Sequence, residues 1–180
     1  YAGIDPASSL SPKADYFVMI TIGIDSEGNK YIVDLYRKHV SPALQPDIII
    51  EKFKKFRHKR VKIETVAYQE ALRAATKRMM IEQDIYIPGL EYKIKPRNRK
   101  SERLLSLVPM FAKGQFFFRP QDTVAQAEFL SYPKGKNDDI MDATWIALEM
   151  SKPCRYGKVE NLNKRTKTQK FIDWMTQWGI

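Results

Sequence analysis

A chain of 180 residues that is 43% hydrophobic can bury a core within one domain, and its single cysteine, Cys154, excludes an internal disulfide and a cysteine-built zinc site. Its longest apolar runs, such as 17–20 and 48–50, are far too short to span a bilayer. With 31 Lys and Arg against 21 Asp and Glu, the net charge of +10 suits a polyanionic partner, nucleic acid before membrane.

The chain opens on Tyr1 with no initiating Met and no visible secretory signal, and it reads as a domain cut from a longer protein. Tyr1–Asp5 is a short apolar run closed by Asp5-Pro6. It predicts a buried strand ending at Asp5, because Pro6 has no N–H to give a ladder. Residues 7–14 are small and polar, hence a loop. Tyr16–Ile24, rich in β-branched and aromatic residues, predicts a second strand. DSEGNK at 25–30 is a turn, and Tyr31–Tyr36 a third strand. Such tight connections predict an antiparallel meander.

Pro46–Phe56 reads as a helix with Asp47 near its start. Residues 52–62 carry seven Lys and Arg, expected mostly on a solvated face. Val61–Thr65 predicts a fourth strand ending at Glu64, and Ala67–Gln83 a long helix. Glu91–Lys95 reads as a fifth strand, followed by the basic loop PRNRKSER at 96–103. A helix over Ser101–Phe111 is closed by Lys113-Gly114. Gln115–Phe118 is a short apolar strand or hairpin arm. Asp122–Leu130 predicts a helix with Asp122 as its N-cap.

Next comes PKGKNDDIMDATWIALEM, residues 133–150. A loop of Pro133, Lys134 and Gly135 leads into a helix capped by Asn137 or Asp138. Asp138 and Asp142 are four apart, and Asp139 and Asp142 three apart, so carboxylates share a face near the helix start. Ile140, Ala143, Ala147 and Met150 have the spacing of a buried stripe. Acids in a first turn complement the helix dipole. Three in five positions also repel one another, and a hard divalent cation is the usual remedy. Beyond Ser151 the chain is a basic tail, in which Phe171, Trp174, Met175 and Trp178 space as a terminal helix docking on the core.

The order of elements predicts an α/β fold, a mixed sheet flanked by helices. Ligand sites in such sheets favour the carboxyl ends of strands. Asp5 and Glu64 occupy two such ends. If their strands are parallel neighbours, these acids join Asp142, with Asp138 close by, in an all-oxygen pocket for Mg²⁺ or Mn²⁺. Two ions about 3.5–4 Å apart would hold an attacking water and a leaving oxygen in line across a phosphodiester.

Three segments in order resemble the ribonuclease H-like nuclease superfamily: GIDPA at 3–7, IETVAYQEAL at 63–72 and PKGKNDDIMDA at 133–143. Within it the chain is most similar to the C-terminal nuclease domain of the large terminase subunit of tailed bacteriophages, and KPRNRKSERLLSL at 95–107 adds to the likeness. The resemblance implies a ribonuclease H-like domain over 1–150, with three antiparallel strands and then parallel ones, followed by a tail at 151–180. It implies Asp5, Glu64 and Asp142 as catalytic metal-binding acids, Asp138 as a further metal ligand, and Mg²⁺ or Mn²⁺, two ions, as cofactor. The implied activity is a metal-dependent endonuclease cutting double-stranded viral DNA concatemers during packaging, with little sequence preference. Many relatives have His where this chain has Asn137, which cannot carry a proton. No GxxxxGK[ST] loop occurs, so the chain should cut DNA and not pump it. Implied partners are DNA, the ATPase domain of the same subunit, the small terminase subunit and the portal, with no membrane, in the host cytoplasm at the assembling capsid. Lys93, Lys95, Arg97, Arg99, Lys100 and Arg103 would track DNA phosphates beside the metal pocket. Alternatives are a Holliday-junction resolvase, a transposase-type nuclease, or a non-catalytic DNA-docking module.

Overall fold

The computed structural model describes residues 1–7, 16–63, 67–90, 100–149 and 151. Among these, five strands form one mixed sheet: β1 (Ala2–Asp5), β2 (Phe17–Ile24), β3 (Lys30–Lys38), β4 (Val61–Ile63) and β5 (Phe116–Phe117). Their spatial order is β4-β1-β2-β3-β5. The predicted meander is present, with β1 antiparallel to β2 and β2 antiparallel to β3. β4 lies parallel to β1, pairing Gly3 with Lys62 and Ile4 with Ile63. β5 joins the far edge parallel to β3 through Lys30 and Tyr31. The segments 64–66 and Glu91–Lys95, and the tail with its predicted terminal helix, lie outside the described residues.

Alternation along β1 and β2 sends side chains to two separate cores. Ile4, Phe17, Met19, Val61 and Ile63 face one side, against Ile49, Ile50 and Phe53 of helix α1 (Gln45–Phe56) and Leu72 of α2 (Ala67–Glu82). Val18, Ile20, Ile22 and Ile32 face the other. They pack on α3 (Lys100–Leu105), α4 (Val108–Ala112), α5 (Thr123–Ser131) and α6 (Asp139–Glu149). The result is three layers, helix, sheet and helix.

Two predicted elements differ in detail. The helix expected over 101–111 is two short helices, α3 and α4, separated by Ser106 and Leu107. Pro109, at the start of α4, has no N–H for an unbroken helix, and its ring would clash with the Leu105 carbonyl. Asp122 occupies the N-cap position of α5 without capping through its side chain. Its carboxylate is gripped instead by Arg119, with Nη2 donating at 2.7 Å and Nε at 2.9 Å.

Val33 is an extra residue in β3: Thr21 pairs with Asp34 while Ile22 pairs with Ile32. Such a bulge interrupts the ladder. The Val33 carbonyl accepts a hydrogen bond from Arg119 Nη1 at 2.5 Å.

α6 packs across β1 and β2. The approach at Gly3 is so close that a Cβ there would meet the backbone of Ala143 and Ala147. Ile140, Ala143 and Ala147 are buried, as their spacing predicts.

Candidate functional site

The conditional expectation for the acid-bearing strands is met, since β1 and β4 are parallel neighbours. Asp5 ends β1, and Glu64, which follows Ile63 in the chain, lies outside the described residues. Asp5 pairs with Val18, and Val18 with Arg37, so these three form one row across β1, β2 and β3. Directly paired residues share a sheet face, and Asp5 shares its face with Gly3, the face covered by α6.

α6 runs diagonally over that face. Its first turn meets β3, where Arg37 Nη2 stands 3.6 Å from Asp139 Oδ2. Its last turn meets β4, where the buried Lys62 ammonium bonds Glu149. The basic run at 52–62 is therefore not all solvated. Lys62 alternates inward beneath a helix, and Lys52 donates to Asp34 at 2.7 Å.

The acids of α6 divide as helical spacing requires. Asp138 and Asp142 share one partner: Lys100 Nζ lies 2.8 Å from Asp138 Oδ1 and 2.6 Å from Asp142 Oδ2. Asp139 is directed to Arg37. The amide of Asp142 bonds the Asp138 carbonyl, so Asp138 holds the N-cap position. Burial pushes the Asp142 carboxyl up from its ordinary range, and the Lys100 hydrogen bond pulls the other way. Burial works to lower the pKa of the Lys100 ammonium, but its bonds to Asp138 and Asp142 together raise it above the usual lysine value.

Of the predicted basic residues, Lys95, Arg97 and Arg99 lie outside the described residues, as does Lys93. Lys100 is on the acids. Arg103, expected on a DNA-facing surface, is buried, with its guanidinium 4.9 Å from the Trp145 ring centroid. The phase of α3 explains this, because Arg103 and Leu104 both turn inward onto the sheet-side core. Arg103 still favours the Asp142 carboxylate through its charge.

Two residues beside the acids escaped sequence reading. Arg37 stacks over Tyr16, 3.5 Å from its ring centroid, while contacting Asp139. Its inward place follows from strand alternation with Leu35. Glu128 of α5 is buried, and its Oε1 accepts the Met141 amide at 2.9 Å, satisfying an N–H in the first turn of α6. Its only signal was a lone acid within the apolar stretch AQAEFL. Burial first, with Asp139 adding, pushes Glu128 up to about 7, against its hydrogen bond from Met141.

The carboxylates of Asp138 and Asp142 are hard oxygen donors of the kind a divalent cation takes, and Asp142 Oδ1 is buried with no hydrogen-bond partner. Among the described residues, no three acids, histidines or cysteines form a group that could hold a metal ion, and Glu64 is not among them.

The family model of the terminase RNaseH-like domain matches residues 2–151. No curated protein sequence matches the chain. Among solved structures, the yeast mitochondrial Holliday junction resolvase is similar over 81% of this chain and 76% of its own, at 16% identity and a TM-score of 0.49. With three antiparallel strands, a parallel fourth, and an acid-bearing helix laid across them, the chain belongs to the terminase RNaseH-like domain family.

Proposed function

We propose that this chain is a metal-dependent endonuclease that cuts double-stranded viral DNA concatemers during genome packaging, with its nuclease unit at 1–150 and a basic tail at 151–180. The observation that carries this reading is the buried, unpartnered Oδ1 of Asp142, set in the α6 turn that crosses the sheet face bearing Asp5. A buried carboxylate oxygen without a donor is costly unless a cation or water satisfies it.

Asp5, Glu64, Asp138 and Asp142 would hold Mg²⁺ or Mn²⁺ as two ions. When bound, such ions activate a water and take up charge on the departing 3′ oxygen of a phosphodiester. The chain's own groups do the rest. Gly3 and the two alanines seat α6 low on the sheet face that bears Asp5. Glu128 holds the first turn of α6 in place. Lys95, Arg97, Arg99 and Lys100 bind phosphates and orient the duplex, and none of them reads a base edge, so cutting has little sequence preference. The ATPase domain of the same subunit, the small terminase subunit and the portal are its partners in packaging at the host-cell capsid.

Plasmid cleavage with Mg²⁺ or Mn²⁺ tests the reading, comparing the parent chain with Asp5→Ala, Glu64→Ala and Asp142→Ala. Each variant should lose cutting while keeping its circular dichroism spectrum. Normal cutting by all three would overturn the site. No cutting by the parent with either metal would leave a DNA-docking module.

A further inference from the structure

One monovalent cation stands between the two carboxylates of α6 that are assigned to a divalent one. The Lys100 ammonium reaches Asp138 and Asp142 together, at 2.8 and 2.6 Å. Asp142 is 5% exposed in its side chain and rigidly placed on α6, whereas the Lys100 side chain is 47% exposed. The acid cannot follow the lysine outward, but the lysine can leave. Its four-carbon stem swings a compact point charge with three donors, and an arginine fork would be harder to exchange. A base serving only as a phosphate contact has no reason to span two acids.

We propose, resting on the metal-nuclease reading above, that Lys100 is a placeholder cation. In the metal-free protein it neutralises Asp138 and Asp142. When a divalent cation enters, the ammonium withdraws and takes a backbone phosphate oxygen of bound DNA as its new anion. The need for a placeholder is physical. Two carboxylates one helical turn apart repel, and a buried one left without a counter-charge is strongly destabilising. The exchange has a consequence for binding. Metal must break two charge-assisted hydrogen bonds to enter, so its affinity is lowered in the free protein. A phosphate that receives the ammonium removes that cost, so DNA and metal strengthen each other's binding by the same factor.

Calorimetric titration of Mn²⁺ into the full chain, without DNA, tests this. The set is the parent, Lys100→Met, Lys100→Gln, Lys100→Arg and Asp142→Asn, each with a thermal melt before and after Mn²⁺. The neutral variants should bind Mn²⁺ on the order of tenfold more tightly than the parent, the size of a typical coupling between sites. They should also melt lower without metal and gain more in Tm when it is added. Lys100→Arg, which keeps the charge and is harder to displace, should bind Mn²⁺ no more tightly than the parent, and Asp142→Asn should lose binding. A purely structural lysine would not raise metal affinity on removal. Unchanged or weaker Mn²⁺ binding by both neutral variants, with binding still lost in Asp142→Asn, overturns the placeholder and leaves the metal site standing. Parent-like binding by Asp142→Asn overturns the metal site and the placeholder with it.

Discussion

Gly3 and Ala143 meet so closely that a Cβ on Gly3 would stand 1.9 Å from the Ala143 carbonyl oxygen and 2.5 Å from the Ala147 amide nitrogen. The obstruction is helix backbone, so no smaller side chain on α6 can relieve it. Gly3→Ala should therefore cost about 3 kcal/mol or more, at the upper end of overpacking, measured by urea denaturation. Ala143→Gly should not rescue it. A fully stable Gly3→Ala would mean that α6 does not lie so near β1.

Asp139 and Asp142 should separate in function although both lie in the first turn of α6. Asp139 meets Arg37, and Asp142 meets Lys100. Asp139→Asn should lower stability by about 1 kcal/mol through the weakened contact with Arg37, while plasmid cleavage persists. Asp142→Asn should do the reverse, sparing the fold and losing cleavage. Equal cleavage defects in the two variants would contradict this division.

Glu128 should make stability depend on pH near neutrality. Its carboxyl is pushed up to about 7 in the folded chain, above the value of about 4.5 it takes when unfolded. Between these values the folded state holds the proton and the unfolded state does not, so stability falls as pH rises from 4.5 to 7. Glu128→Gln keeps an oxygen for the Met141 amide and carries no charge. It should flatten the profile in that window and gain on the order of 1 kcal/mol at pH 8. Urea midpoints across this pH range check it, and identical slopes for parent and variant would refute it.

Arg119 and Asp122 should behave as one unit. The guanidinium bonds the Asp122 carboxylate through Nε and Nη2 and the Val33 carbonyl through Nη1. Either residue changed to Ala leaves a partly buried charge without its partner, at a cost of about 3 kcal/mol. The double variant should cost clearly less than the sum of the singles in a double-mutant cycle. Additive losses would show that the two act independently.

Much of the frame is legible in residue order. β2 is dense in β-branched residues, β1 is a short apolar run closed by Asp5-Pro6, and the stripe of Ile140, Ala143 and Ala147 marks the inner face of α6. The parallel pairing of β1 with β4 stands in the residue pattern only as a condition and comes from the family resemblance, because strand order is set by how α1 and α2 pack on the sheet. Basic residues were the harder class. Lys62, Arg103 and Lys100 look alike as charges in a chain, but the first lies beneath α6, the second on Trp145 and the third between two acids. Only helix phase and sheet alternation, once embedded in a particular packing, tell them apart. Glu128 illustrates the same point, since its value as a cap for α6 depends on α5 lying alongside.

The bulge at Val33 bears on how the molecule keeps to itself. Among the described residues, β5 shields only the first two positions of the nine-residue β3, and the outer rim of a long strand is a template on which a neighbouring molecule can add its own. The Arg119 guanidinium occupies the Val33 carbonyl where that shield ends, and the kinked run beyond it carries Asp34, Arg37 and Lys38. Blunted in this way, the rim resists strand-to-strand clumping when many copies crowd together.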